Sequence, residues 1–94
     1  MRIKVKLFAE VREVAGLSEV EVYVKDGSSL IDVLNELSEK LGEGFREKVM
    51  DEKMGTPRGE YKFSLNGVIM HEVDLRMKLK DGDVLAILPP VSGG

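Results

Sequence analysis

Residues 84–88, Val-Leu-Ala-Ile-Leu, form an unbroken apolar run between an Asp81-Gly82-Asp83 turn and the pair Pro89-Pro90. A strand with one wet face alternates polar and apolar residues. A run without alternation therefore has apolar neighbours on both faces and belongs in the middle of a sheet. The prolines end it, because they donate no ladder hydrogen bond and hold φ near the polyproline value. A chain of 94 residues can enclose one core only. Everything else in the sequence has to be arranged around this strand.

Two alternating runs open the chain. Ile3, Val5 and Leu7 share one face of residues 2–7, with Arg2, Lys4 and Lys6 on the other. Val20, Val22 and Val24 repeat the pattern, with Glu19, Glu21 and Tyr23 outward. Basic residues on one strand facing glutamates on the next suit antiparallel pairing, so the two runs are predicted to form a hairpin. Its connection, residues 8–18, is long for a hairpin and holds AEVREVAG, a helical turn closed by Gly16. Ser29 is a good N-cap, with Asp32 in the capping-box position. Leu30, Val33, Leu34, Leu37 and Leu41 then make one helical stripe that stops at Gly42. Residues 45–50 are a candidate second, short helix, and residues 51–60 read as an exposed loop. Tyr61, Phe63 and Leu65 alternate again, and Asn66-Gly67 is a type I′ turn signal leading to Val68, Ile69 and Met70.

The order is β-β-α-β-β-β. With the last strand parallel to the first and the helix across one face, this is an α+β chain of the β-grasp, or ubiquitin-like, class. One domain spans residues 1–94, with residues 89–94 as a flexible tail. A single helix covers one face of the sheet, so the last strand offers apolar side chains on the other. Depending on register these are Val84, Ala86 and Leu88, or Leu85 and Ile87. Such a strip is a candidate interface, unless the loop around Pro57 folds over it.

Side-chain chemistry is sparse. The chain has no cysteine, which excludes disulfides, a thiol nucleophile and thiolate metal sites. His71 is the lone histidine and has no nucleophile beside it in sequence. Asp81-Gly82-Asp83 lacks the later ligands of a calcium loop and is better explained as a turn, so no metal site is expected. The glycines match no phosphate loop, so the chain is not expected to bind ATP by itself. A net charge of −3 argues against nucleic acid and for a partner with a basic rim. No apolar stretch is long enough to span a membrane, and residues 1–8 lack a signal-peptide core, which makes the cytoplasm the expected location. Few amides and many charged residues lean toward heat adaptation.

The tail remains. Six residues, 89–94, span roughly 20 Å when extended at about 3.3–3.6 Å each, enough to enter another protein's pocket. Gly93 and Gly94 have no Cβ, which suits a narrow channel. A terminal carboxylate at Gly94 needs activation before it can act as an acyl donor, and such a tail is substrate rather than catalyst. Taken alone, Gly-Gly is equally a frayed end.

KVKLFAEVREVAG (4–16), the helix start SSLIDVLNEL, LNG (65–67) and LKDGDVLAILPPVSGG (79–94) together resemble the MoaD family, within the wider MoaD/ThiS group. The resemblance covers essentially the whole chain. It implies the small sulfur-carrier subunit of molybdopterin synthase, in molybdenum cofactor biosynthesis. An E1-like enzyme would use ATP to adenylate Gly94, and a sulfurtransferase system would convert the adenylate to a thiocarboxylate. The tail would then deliver sulfur inside the large subunit of the synthase, which holds the catalytic side chains. No cofactor is implied on the carrier itself. Phe8 and Arg12 match the FAxxRE segment near the partner-facing side, and Ala86, Leu88, Pro89, Pro90, Val91 and Ser92 complete the implied contact surface. Ile87 and Leu88 stand where relatives often have aromatics, and residues 45–60 are longer than a minimal carrier needs. The runner-up that the resemblance accommodates is a ubiquitin-like modifier joined through Gly94 to lysines, which shares the same activation. A thiazole-pathway carrier fits less well because FAEVRE is present, and a plain binding module would make the tail dispensable.

Overall fold

The computed structural model describes residues 1–90 of the chain. Val91, Ser92, Gly93 and Gly94, the delivering part of the expected tail, lie outside the described residues. In chain order the elements are β1 (Arg2–Leu7), α1 (Ala9–Ala15), β2 (Glu19–Tyr23), α2 (Leu30–Leu41), α3 (Glu43–Val49), β3 (Met50–Asp51), β4 (Thr56–Pro57), β5 (Lys62–Leu65), β6 (Val68–Met70) and β7 (Val84–Leu88). Five strands form one mixed sheet in the order β2-β1-β7-β5-β6, with β3 and β4 as a separate two-stranded hairpin. The unalternating run is the central strand, parallel to β1 and antiparallel to β5. The expected first hairpin is present, with Lys4 opposite Glu21 and Lys6 opposite Glu19.

The core lies between the sheet and the helices. Ile3, Val5, Leu7, Leu85, Ile87 and Phe63 supply its sheet side, and Leu30, Val33, Leu34 and Leu37 its α2 side. All but Leu7 and Phe63 are fully buried, and those two are 1% exposed. Phe45 of α3, also fully buried, adds an aromatic to a largely aliphatic core. The α2 stripe behaves as the spacing predicts, except that Leu41 is only half-buried. Ser29 and Asp32 form the capping box reciprocally. Two more N-terminal N–H groups are satisfied from outside the helix, Leu30 donating to the Met77 carbonyl and Ile31 to that of Leu75. Those carbonyls explain the job of residues 75–79, which form only an isolated bridge, Ser29 with Lys78.

Residues 51–60 depart most from the sequence reading. Instead of an open loop, residues 50–57 make the β3–β4 hairpin. The Asp51 carboxylate accepts the N–H groups of Lys53 and Met54 and so closes the turn. Two-residue strands are too short to carry a legible alternation. This hairpin adjoins α2, enclosing with it a groove of about 410 Å³ edged by Asp32, Glu36, Glu39 and Arg46. It therefore sits on the helix side and leaves the opposite face of the sheet open. The stretch after Phe8 is a seven-residue helix closed by Gly16, and α3 begins as soon as α2 ends, Gly42 capping both. Gly44 permits α3 to approach α1, since a Cβ there would stand 3.0 Å from Val14 Cγ1.

Two turns meet at the start of the central strand and are held there by side chains. Asn66 and Gly67 both take positive φ, 52° and 85°, as a type I′ turn requires. The Asn66 side chain accepts the Val84 N–H at 2.8 Å and donates to Asp83 at 2.9 Å. Asp81 accepts the Arg2 N–H, and Asp83 that of Lys80. At the β2 edge, Lys40 of α2 donates to the Glu21 carbonyl. Among the described residues, no helix is long and apolar enough to cross a membrane.

The hydrogen bond from the Ser29 N–H holds the Asp32 carboxyl below the usual carboxylate range. A carboxyl depressed in the folded state contributes stability above its ordinary value and loses that contribution as pH falls through its folded value. Asp32→Asn is therefore expected to flatten the acid side of the stability profile while leaving the neutral-to-alkaline part of its shape unchanged. Urea titrations across pH check this.

Candidate functional site

Register decides which side chains of β7 face outward. Leu85 and Ile87 lie opposite Val5 and Leu7 and are fully buried on the helix side. Val84, Ala86 and Leu88 therefore point to the open face. Ala86 sits in a row that runs Glu19, Lys6, Ala86, Ser64, Ile69 across four strand pairings. Its neighbours in that row leave it 8% exposed, whereas Val84 and Leu88 are half-buried. Lys4 is level with Val84, and Lys62 with Leu88. Phe8 follows β1 in extended conformation, φ −132° and ψ 158°, which continues the alternation onto the side of Lys6, and it is 39% exposed. The sheet thus gathers Phe8, Ala86 and Leu88 on one open face, a stripe that runs directly to Pro89-Pro90.

The charge of this face corrects one sequence expectation. Net charge points to a partner with a basic rim, yet Arg2, Lys4, Lys6 and Lys62 outnumber Glu19 and Glu21 on the open face. The acidic surplus lies elsewhere, much of it along the α2 groove. Even allowing for the Lys4–Glu19 pair at 3.9 Å, the face complements an acidic rim. Whole-chain charge cannot reveal this, because it averages over surfaces that point in opposite directions.

At the root of the tail, Pro89 is half-buried and Pro90 exposed. A cleft of about 300 Å³ lies beside them, lined by Ala9, Glu10, Val11 and Tyr61. A second, of about 360 Å³, shares Glu10, Tyr61 and Pro90 and adds Glu47, Lys48, Arg58 and Glu60. Glu10 and Lys48 form an ion pair at 2.6 Å, joining the first turn of α1 to the last turn of α3. Hydrogen bonding to Lys48 holds the Glu10 carboxyl below its usual range, and the same bond raises the Lys48 ammonium. Tyr61, 6% exposed, has its phenol pushed up by burial. Ala9, which opens α1, has φ 49°, a left-handed conformation unfavourable for a residue with a Cβ.

Arg12 is exposed one turn along α1 and makes no ion pair among the described residues. It is two residues from Glu10 in sequence but does not line either cleft. His71 is exposed and lines a separate groove with Met70, Val73 and Leu75, which shares Arg58 and Tyr61 with the tail-root clefts but does not include the prolines. Among the described residues no three His, Asp or Glu side chains gather so as to hold a metal ion. The expected Gly93, Gly94, Val91 and Ser92 fall outside the described residues. Glu10, Lys48 and Tyr61 were not singled out as site residues by sequence. Tyr61 reads there only as a strand residue, and nothing links positions 10 and 48 until α1 packs on α3.

Residues 5–94 match the ThiS family. The chain belongs to that family. Its resemblance to the MoaD/ThiS group is therefore confirmed over nearly the full length. The chain is 37% identical to the molybdopterin synthase sulfur carrier subunit of Chlamydomonas reinhardtii, over the whole of both chains. Among solved structures, small archaeal modifier protein 1 (SAMP1) of Haloferax volcanii superposes with a TM-score of 0.88 and 31% identity, over the whole of both chains. A second solved structure, at TM-score 0.62 and 26% identity over both whole chains, is that of the complex of subunits 1 and 2 of the molybdopterin-converting factor from Helicobacter pylori. These likenesses place this ThiS-family chain in the ubiquitin-like β-grasp class.

Ala9→Gly is expected to raise stability by roughly 1 kcal/mol, the approximate cost of a left-handed conformation for an L-residue. Chemical denaturation of the two proteins checks it.

Proposed function

We propose that this chain is a sulfur carrier of molybdopterin synthesis, with Gly94 as its chemically active end. The observation that carries the reading is the full-length likeness to a sulfur carrier subunit. The open apolar stripe leading into Pro89-Pro90 supports it. In the proposed cycle a Gly94 carboxylate oxygen attacks the α-phosphorus of ATP on an E1-like enzyme, and pyrophosphate leaves. A sulfurtransferase persulfide then displaces AMP to form an acyl disulfide, and a second thiol cleaves its S–S bond, leaving the thiocarboxylate and a disulfide on the transferase. Within the large subunit of the synthase that sulfur passes to the pterin precursor. The carrier contributes no acid, base or nucleophile of its own. Its residues supply docking and aim. Phe8, Ala86 and Leu88 bury against the partner, the surrounding lysines meet its acidic rim, and Pro89-Pro90 carry Val91, Ser92, Gly93 and Gly94 into its pocket. Arg12, exposed on α1, would add a contact at the periphery. The cycle is assigned to the cytoplasm, and ATP is bound by the activating enzyme alone.

The SAMP1 superposition favours a second reading, in which the activated Gly94 also joins lysines of other proteins. An ε-amine then displaces AMP or a thiol in place of the sulfur nucleophile, so one activation step serves both outcomes.

Intact mass measurement of the protein from native cells is expected to show one oxygen-to-sulfur exchange at Gly94. Deleting Gly93 and Gly94 is expected to abolish both charging and sulfur transfer. A truncated chain that still supports molybdopterin synthesis would overturn the reading, while lysine adducts with no thiocarboxylate would favour the modifier. Leu88→Asp is expected to weaken the complex with the large subunit about tenfold or more, as hot-spot loss does, with little change in the unfolding midpoint. Titration calorimetry checks the affinity.

A further inference from the structure

The tail root is held by surprisingly little local structure. Helix α1 has seven residues, no side-chain cap at Phe8, and a left-handed Ala9 as its first residue. Short helices draw most of their stability from packing, and Val11 is the buried residue of α1. What fixes the first turn from outside is the Glu10–Lys48 pair at 2.6 Å. Each partner also sits where its own helix favours it, the carboxylate in the first turn of α1 and the ammonium in the last turn of α3. Glu10, Tyr61 and Pro90 are common to both clefts, so the carboxylate stands on the ridge between them, next to the exit of the tail. Arg58, the other cation lining the second cleft, donates to the Glu47 carbonyl at 3.1 Å. Glu47 and Glu60 add negative charge to the same cleft, so Lys48 is the cation available to hold Glu10 there.

We propose that the Glu10–Lys48 pair is a positioning element: it clamps the start of α1 to α3 and so fixes the wall against which Pro89-Pro90 leave the sheet. Exposed ion pairs contribute little to global stability. The consequence of this one is directional, setting the angle at which the tail meets an acceptor pocket. Loss of the clamp widens the range of exit angles, which lowers the fraction of encounters that thread the tail and leaves the chemistry of a threaded tail untouched. This deepens the sulfur-carrier reading and rests on it.

The test compares Glu10→Gln, Lys48→Met and the charge-swapped pair Glu10→Lys with Lys48→Glu, each in the full chain. Steady-state pyrophosphate release by the cognate adenylating enzyme is read against carrier concentration. Each single variant is expected to raise the KM for carrier about threefold, on the scale of an exposed ion pair, with kcat held. The swapped pair is expected to restore KM to within about twofold of the unaltered chain, and high salt to narrow the gap between singles and parent. Unfolding midpoints should stay together throughout. The 13C shifts of Pro89 and Pro90 in the free protein give a readout that needs no partner, moving in the singles and returning in the swap. Unchanged KM and proline shifts in the singles would overturn the clamp, as would a raised KM in the singles with the proline shifts unmoved, which would instead mean direct contact with the enzyme. If the shifts behave as expected but the unaltered chain is never adenylated, the clamp stands and the carrier reading falls.

Discussion

One strand sets the terms for the rest of the molecule. β7 accepts β1 on one side in parallel and β5 on the other in antiparallel, and Leu85 and Ile87 are sealed beneath the helices. A strand held by two ladders and a dry face has no freedom to slip, because a one-residue shift would drive its buried pair into water. That burial is favourable because α2 completes the core around the pair with four fully buried aliphatic side chains. The same strand ends at the prolines. The segment that most firmly fixes the fold is therefore the one that delivers the tail, and docking is built on the least deformable part of the chain.

Much of this was legible beforehand. The lack of alternation in VLAIL located the central strand, the Ser29–Asp32 pair located the helix start, and Asn66-Gly67 located a hairpin. In each case the signal lies in a few contiguous residues and its physical cause is local. The face of β7 turned to solvent was not legible, since both registers satisfy the same apolar run and only the pairing of Val5 with Leu85 decides between them. Nor was the β3–β4 hairpin, whose two-residue strands are held by one carboxylate rather than by a pattern.

Site residues divide along the same line. Phe8, Ala86, Leu88 and the prolines sit in or beside strands, so strand geometry gathers them once the register is known. Glu10 on α1, Lys48 on α3 and Tyr61 just before β5 meet only through tertiary packing. Charge behaved likewise. A chain with an acidic total presents a basic face because α2 and its hairpin carry much of the acidic surplus on the other side. What a partner meets is the sign of one surface, which strand register sets.

The Asn66 carboxamide, hydrogen-bonded to the Val84 N–H and to Asp83, fixes the origin of the last strand. From that origin β7 acts as a ruler of five residues, about 3.3 Å per step. Its length carries two quantities at once, the distance to the exit and the parity that decides which side chains look outward. Adding or removing one residue would shift the exit by a single step and also exchange the stripe for the buried set. Tail reach is therefore free to vary only beyond Leu88. Evolution of a deeper or shallower insertion would have to work on residues 89–94, because inside the sheet length and face are the same variable.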